Sequence, residues 1–440
     1  MNHRHLVRCV IVGFAALVAV VPLESQAPAL AIAGTTVVDV VEGRLTPNAT
    51  VVTTGDVITS ITPGGSPPAG ARVIDGAGTF LIPGLWDMHA HMEGAGEAWL
   101  PLYVANGVTG IRDMGSNLDL ILRMRESTAS GGVLGPRIFA AGPILDDAPG
   151  EWPFRMRVRT AADGRAAVQL LKRGGADLVK VHDHTPRDVF FAIVDEARRQ
   201  NLPVAGHVPL KVTVEEAIDA GQTNIEHLSN TEIWEPCSGG DDYRPERCRP
   251  FFEMLAQRRI WQTPTLAFWS EVAVIGTPAS TVRPDQMAYA TRSIRDGWAA
   301  NQRAFVTPEL TRILKERAVV GAIVVRDMAR AGVPILAGCD GMIAGFCVHD
   351  ELATMVRGGM TPLAALQTAT LNPARYLGLE QTAGTMAPGR RADLVLLDAN
   401  PLTDITNVRR IRAVVAAGRF LDRAELDGLL EKVKAAAAQP

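Results

Sequence analysis

The chain has 440 residues, with 44 Lys and Arg against 47 Asp and Glu, a net charge of -3, and 47% hydrophobic residues. That length accommodates one large barrel plus a smaller domain. The near-even charge balance lacks the basic excess of a nucleic-acid binder, and the hydrophobic fraction excludes an intrinsically disordered chain.

In chain order, the first segment is a basic start, MNHRHLVR, followed by an apolar run that ends at Pro22 and Glu24 and by small residues at Ser25 and Ala27. This pattern predicts a signal peptide over residues 1–27, cleaved after Ala27. The apolar run is shorter than the roughly 20 residues a spanning helix needs. A periplasmic or secreted mature chain without stable membrane insertion is therefore expected. Of the five cysteines, Cys9 falls in that leader, and Cys237 and Cys248 are expected to pair across a short charged loop. For Cys339 and Cys347 the sequence leaves pairing open.

Residues 28–82 run as short β-prone stretches broken by Gly, Pro and Asn, and the same texture returns over 377–425. The two ends are expected to form one small β-sandwich domain, with 426–440 a terminal helix or tail. Between them, over 83–376, eight apolar β-runs alternate with helical stretches: LWDMHAH, GVTGIRDMG, RIFAAGPI, DLVKVHDH, LPVAGHV, TNIEHLS, WQTPTLAF and VPILAGCD. This α/β rhythm predicts a (β/α)8 TIM barrel. In the helical stretch DVFFAIVDEARRQN, Val189, Phe190, Ile193, Val194 and Ala197 recur at helical spacing. The long gap before the last strand predicts a helical insertion over about 276–325, either a lid on the barrel mouth or a structural excursion.

His89 and His91, two apart at the end of the first strand, face the same side. At the C-terminal end of a barrel strand that side is the active-site mouth, and paired imidazoles there can hold a metal ion. Lys180, His207, His227 and Asp340 stand at the ends of later strands. Six such groups in step with the strands point to a metal-dependent enzyme rather than a non-catalytic barrel scaffold. His182, His184 and His349 are candidate substrate contacts, as are Arg155 and Arg157 for a substrate carboxylate. Asp87 and Asp113 read as structural.

With PGLWDMHAH, the strand-end Lys, His, His and Asp, and the closing GTMAPGRRADLVLLD, the chain resembles the amidohydrolase superfamily, in particular its exported imidazolonepropionase-related branch with Xaa-Pro dipeptidases and ochratoxin-hydrolysing enzymes. The resemblance implies two divalent ions, zinc by ligand type. His89, His91 and Asp340 would hold one, His207 and His227 the other, and Lys180 would bridge them as a carbamate formed with carbon dioxide. A hydroxide between the ions would attack the carbonyl, and Asp340, as catalytic residue, would carry the proton to the leaving nitrogen. Lys180 argues against single-metal imidazolonepropionases and cytosine deaminases. The implied activity is hydrolysis of amide bonds in small dipeptide-like or N-acyl amino-acid substrates, with lactonase or phosphotriesterase chemistry the alternative on the same site. The partner is then a small molecule, no nucleic acid is involved, and a homo-oligomer is left open.

Overall fold

The computed structural model describes residues 29–92, 96–150, 154–228, 243–271, 284–305, 307–341 and 343–439. The expected signal peptide lies outside the described residues. No helix among those described is long and apolar enough to cross a membrane.

The two ends of the chain share one sheet. Its strand order is Arg419–Asp422, Ile411–Ala416, Leu394–Leu397, Phe80–Pro83, Leu30–Val38, Leu45–Thr54 and Val57–Pro63, with Arg72–Asp75 also paired to Leu30–Val38. The seam between the ends is antiparallel, with Leu81 opposite Leu396 and Phe80 opposite Leu397. Strand Leu394–Leu397 is buried on both faces because successive side chains alternate. Leu394 and Leu396 join Ile32, Val51, Ile58 and Leu81 in the small-domain core. Val395 and Leu397 face the opposite way, into the barrel core. Each such burial stabilises by about 1.5–3 kcal/mol, so this one strand fixes the small domain onto the barrel.

The barrel strands are Leu85–Ala90, Val108–Asp113, Arg137–Ala140, Val179–Val181, Val204–Gly206, Gln222–Glu226 and Trp261–Thr263. An irregular eighth segment, 334–339, closes the ring. It bonds on one side to Gln262, through Leu336 N to Gln262 O at 2.8 Å, and on the other to the first strand, through Met88 N to Ala337 O at 2.8 Å. The neighbouring pairs of regular strands that share ladders are parallel. All eight expected β-runs thus become barrel staves. Helix Arg187–Arg199 buries Val189, Phe190, Ile193, Val194 and Ala197, the apolar face read from its spacing. Helices Ala161–Gly174 and Val214–Ala220 begin with reciprocal capping boxes, Thr160 with Asp163 and Thr213 with Glu216.

In the expected insertion, Arg292–Phe305 and Pro308–Arg330 are helical. The long helix ends against the core through Val324, Val325 and Met328. Residues 423–437 form the terminal helix Arg423–Ala437, started by an Asp422 and Glu425 capping box. Cys339 and Cys347 are joined by a disulfide, with Cα atoms 5.7 Å apart. Cys248 is also disulfide-bonded, and its expected partner Cys237 lies outside the described residues. Alkylation of the native protein without reductant, followed by intact-mass analysis, is expected to leave Cys248, Cys339 and Cys347 unlabelled. Label on Cys339 and Cys347 in folded protein would contradict this pairing.

Candidate metal centre

The C-terminal ends of the staves bring the candidate residues together. His89, His91, Lys180, His207, His227 and Asp340 all line one cavity of about 460 Å³. Its remaining wall is His182 and Asp183 on the polar side and Ile144, Phe154, Phe268 and Trp269 on the apolar side. Asp340 sits among the imidazoles: Oδ1 is 3.3 Å from His91 Nε2 and 3.5 Å from His89 Nε2, and Oδ2 is 3.7 Å from His227 Nδ1. The ring centres of His89 and His227 are 4.5 Å apart, and those of His207 and His227 4.8 Å. Lys180 is 1% exposed, with Nζ 3.4 Å from His89 Nε2.

Each of the four imidazoles has a partner on Nδ1. Nδ1 of His89 meets Glu226 Oε2 at 2.6 Å, Nδ1 of His91 meets the Gly115 carbonyl at 3.0 Å, and Nδ1 of His207 meets Asp183 Oδ1 at 2.7 Å. Nδ1 of His227 meets the Thr265 hydroxyl at 2.7 Å. Carboxylate and carbonyl oxygens only accept, so for the first three rings the proton belongs on Nδ1 and the Nε2 lone pair is left for an ion. Asp87, read as structural, accepts from the backbone N–H groups of His89 and Cys339, both at 3.0 Å, and so pins the first stave to the last. Asp113 accepts from Met92 N and the Ser116 hydroxyl.

The electrostatics suit a cation. Burial pushes the pKa of His89 and of His227 well below the usual range, so both are neutral donors. Burial also pushes Lys180 down, with Glu226 and Asp340 opposing. For Asp340, burial works upward but is outweighed by His227, His91 and Lys180, which hold the carboxyl well below its ordinary value. His91 is the reverse case: burial lowers it, and the hydrogen bond and charge of Asp340 raise it overall.

A divalent ion fits this donor set. Ligand atoms of His89, His91 and Asp340 lie within 4.8 Å of one another, and so do those of His182, Asp183 and His207. Neutral imidazole and carboxylate are ordinary zinc ligands. Asp183 already accepts from His207, which marks it as an orienting partner. Asp87, Cys339 and Cys347 also cluster, but with both sulfurs in a disulfide no thiolate is left to bind.

The proposed substrate contacts separate. His182 lines the cavity and stacks on His207 with ring centres 3.9 Å apart, and burial together with His207 lowers its pKa to about 2. His184, three residues past the strand end at Val181, is exposed and not among the lining residues. His349 is not a lining residue either: helix Phe346–Arg357 turns it into the core, where Nε2 lies 3.0 Å from the Asn106 carbonyl. Arg155 and Arg157 both reach the Ala148 carbonyl, and neither lines the cavity.

Residues the sequence reading passed over complete the centre. Glu226, immediately before His227, carries His89 on one oxygen and Arg112 on the other. Asn224 and Glu226 are two apart on a stave, so both side chains share its inner face; polar residues at that spacing inside a barrel are the signal that was available. Glu351 is a second case. Its Oε2 accepts from Ala267 N at 2.7 Å, tethering the segment that carries Phe268 and Trp269, while Oε1 has no partner among the described residues. Burial, reinforced by Asp87, pushes its pKa up to about 8. An unfolded carboxyl loses its proton near pH ~4.3. The folded state therefore keeps one extra proton between there and about pH 8, and stability falls as pH rises through that window. Glu351→Gln, permanently neutral, is expected to flatten the fall in Tm between pH 5 and 8. A slope equal to that of the parent protein would contradict a buried protonated Glu351.

A cluster of buried and half-buried imidazoles with Asp340 and Lys180 at the mouth of a (β/α)8 barrel defines a metal-dependent hydrolase. The chain belongs to the amidohydrolase family, whose model matches residues 80–421. It is 26% identical over 404 residues to an ochratoxinase of Aspergillus niger, covering 76% of this chain and 73% of that one. Among solved structures it is similar to a bottromycin amidohydrolase (TM-score 0.75, 24% identity, 94% of this chain and 92% of the other). It is also similar to a putative prolidase from Bifidobacterium longum (TM-score 0.68, 24% identity, 93% and 99%).

Proposed function

We propose that the enzyme hydrolyses the amide bond of small dipeptide-like or N-acyl amino-acid substrates outside the cytoplasm, using two divalent ions, zinc by donor type. The observation that carries this reading is one cavity combining His89, His91, Lys180, His207, His227 and Asp340 with an apolar wall of Ile144, Phe154, Phe268 and Trp269. About 460 Å³ is the size of a small-molecule pocket, far short of a protein-binding groove. The names of its relatives, an ochratoxinase and a putative prolidase, agree with it.

His89, His91 and Asp340 would hold one ion, His207 and His227 the second, with Lys180 as a carbamate between them. When bound, the ions supply a water acidified to near neutral pH and a Lewis acid for the carbonyl oxygen. The protein's own groups do the rest. Asp340 Oδ1 is turned to His89 and His91, and Oδ2, at a wider 3.7 Å from His227 Nδ1, is the atom that would take the proton and return it to the leaving nitrogen. Phe268 and Trp269 exclude water and receive the apolar side chain, and His182 faces the polar end of the substrate.

Turnover of a panel of N-acyl amino acids and dipeptides, Xaa-Pro among them, by the zinc-loaded protein tests the proposal, with a lactone and paraoxon as competitors. The expected result is kcat/KM highest on an amide. Preference for the lactone or the phosphotriester would overturn it.

A further inference from the structure

Beneath the metal centre, Arg112 lies fully buried in the barrel interior. Its Nε donates to the Met88 carbonyl at 2.7 Å and Nη1 donates to Asn224 Oδ1. Nη2 donates to Glu226 Oε1 at 2.8 Å and to the Thr263 hydroxyl at 3.2 Å. The Tyr376 ring covers the guanidinium at 5.1 Å. The polar edges of Arg112 are thus committed to three staves, Leu85–Ala90, Gln222–Glu226 and Trp261–Thr263, which hold the group against Glu226. The other Glu226 oxygen is the one that meets His89 Nδ1.

We propose that Arg112 is a positioning residue that fixes the hydrogen-bond polarity of Glu226 and, through it, the tautomer of His89. The inference rests on the reading of His89 as a metal ligand. A guanidinium has five donors and no acceptor, so whatever atom faces Arg112 Nη2 must accept. With a carboxylate at 226 the second oxygen also accepts, the His89 proton sits on Nδ1, and Nε2 offers its lone pair to the cavity.

The polarity makes an unusual demand. In Glu226→Gln the side chain keeps its shape, but Arg112 claims the amide oxygen and turns the amide NH2 toward His89. Nδ1 must then accept, the ring proton moves to Nε2, and the ligand atom is blocked. Glu226→Ala removes the same charge and also takes away the acceptor of Arg112 Nη2, yet imposes no donor on His89. The near-isosteric variant is therefore the more damaging one, the reverse of what a packing role alone would give. Orienting partners of a ligating histidine are worth about 10–100-fold in metal affinity. Glu226→Gln should lose about 100-fold in affinity and Glu226→Ala about 10-fold.

The test is zinc affinity of the folded, full-length protein, measured by equilibrium competition with a chromophoric chelator, alongside circular dichroism. Expected is an order of affinity with the parent tightest, then Glu226→Ala, then Glu226→Gln. The double variant Arg112→Met/Glu226→Gln, whose amide is free to flip and present its oxygen to His89, should recover zinc to within about tenfold of the parent. It also removes the unpaired buried cation, so it carries the test should the single Gln variant fail to fold. Selective ring ¹⁵N labelling should show the His89 proton on Nε2 in Glu226→Gln alone. If Gln binds zinc as well as or better than Ala, or the double variant binds no better than His89→Ala, the polarity proposal is overturned while the ligand reading stands. If His89→Ala itself keeps the parent's zinc, the ligand reading is what falls.

Discussion

Asp340→Asn is expected to keep the fold and lose amide turnover by at least about a hundredfold in kcat, the lower part of the range for a lost general acid-base. The fold should survive for a local reason. Asp340 has φ 58°, in the left-handed region that Asn tolerates better than any other residue except Gly, and its N–H is held by the His89 carbonyl at 2.7 Å. An amide keeps one oxygen near His91 and His89, so part of the ligand field remains. What it cannot do is take a proton at Oδ2. An activated p-nitrophenyl ester, whose leaving group needs no proton, should therefore lose much less activity than the amide. Metal loss alone would harm both substrates equally, and metal content measured on the same preparation separates the two causes. Near-normal amide turnover with metal bound would show that Asp340 is not the proton carrier.

Lys180→Ala is expected to be comparably severe, acting through metal content. An ammonium cannot bind a cation, and Lys180 is buried with Nζ 3.4 Å from His89 Nε2, among the ligand candidates. Burial pushes its pKa down, which favours the neutral amine that adds to carbon dioxide. Elemental analysis should find about two zinc ions per parent chain and one or fewer in the variant. Affinity should drop by about 10–100-fold or more. Added short carboxylic acids, which place two oxygens in the space the side chain vacated, should restore part of both metal and turnover. Two ions retained in Lys180→Ala would remove the bridging role.

How much of this was legible in the sequence follows from which interactions are local. The staves could be read because each is a short apolar run, and the face of Arg187–Arg199 because helical spacing is a property of neighbours in the chain. The six ligand candidates could be read because strand ends are where barrels concentrate chemistry. The pairing of Cys339 with Cys347 was undecided, since eight residues of separation permit but do not require it. Partner identity across the barrel was illegible. Arg112 and Glu226 are 114 positions apart, and His89 and Glu226 are 137 apart. His349 was chosen for its closeness in sequence to Asp340, yet the first turn of its helix directs it toward Asn106. Proximity in sequence to a ligand says little once a helix has begun, because successive residues point about 100° apart around its axis.

The seam of the small domain also bears on how the protein is made. Phe80–Pro83 leaves the ribosome about 310 residues before Leu394–Leu397, the strand it must lie beside. At roughly 5–20 residues per second that is a delay of roughly 15–60 s, during which one edge of the nascent sheet has no neighbour. Such an edge is a template for adventitious pairing with other chains. The early strands therefore cannot mature as an independent unit ahead of the barrel. The newborn polypeptide is expected to need shielding until Leu394–Leu397 appears, and a truncation before Leu394 should yield aggregate rather than a smaller active enzyme.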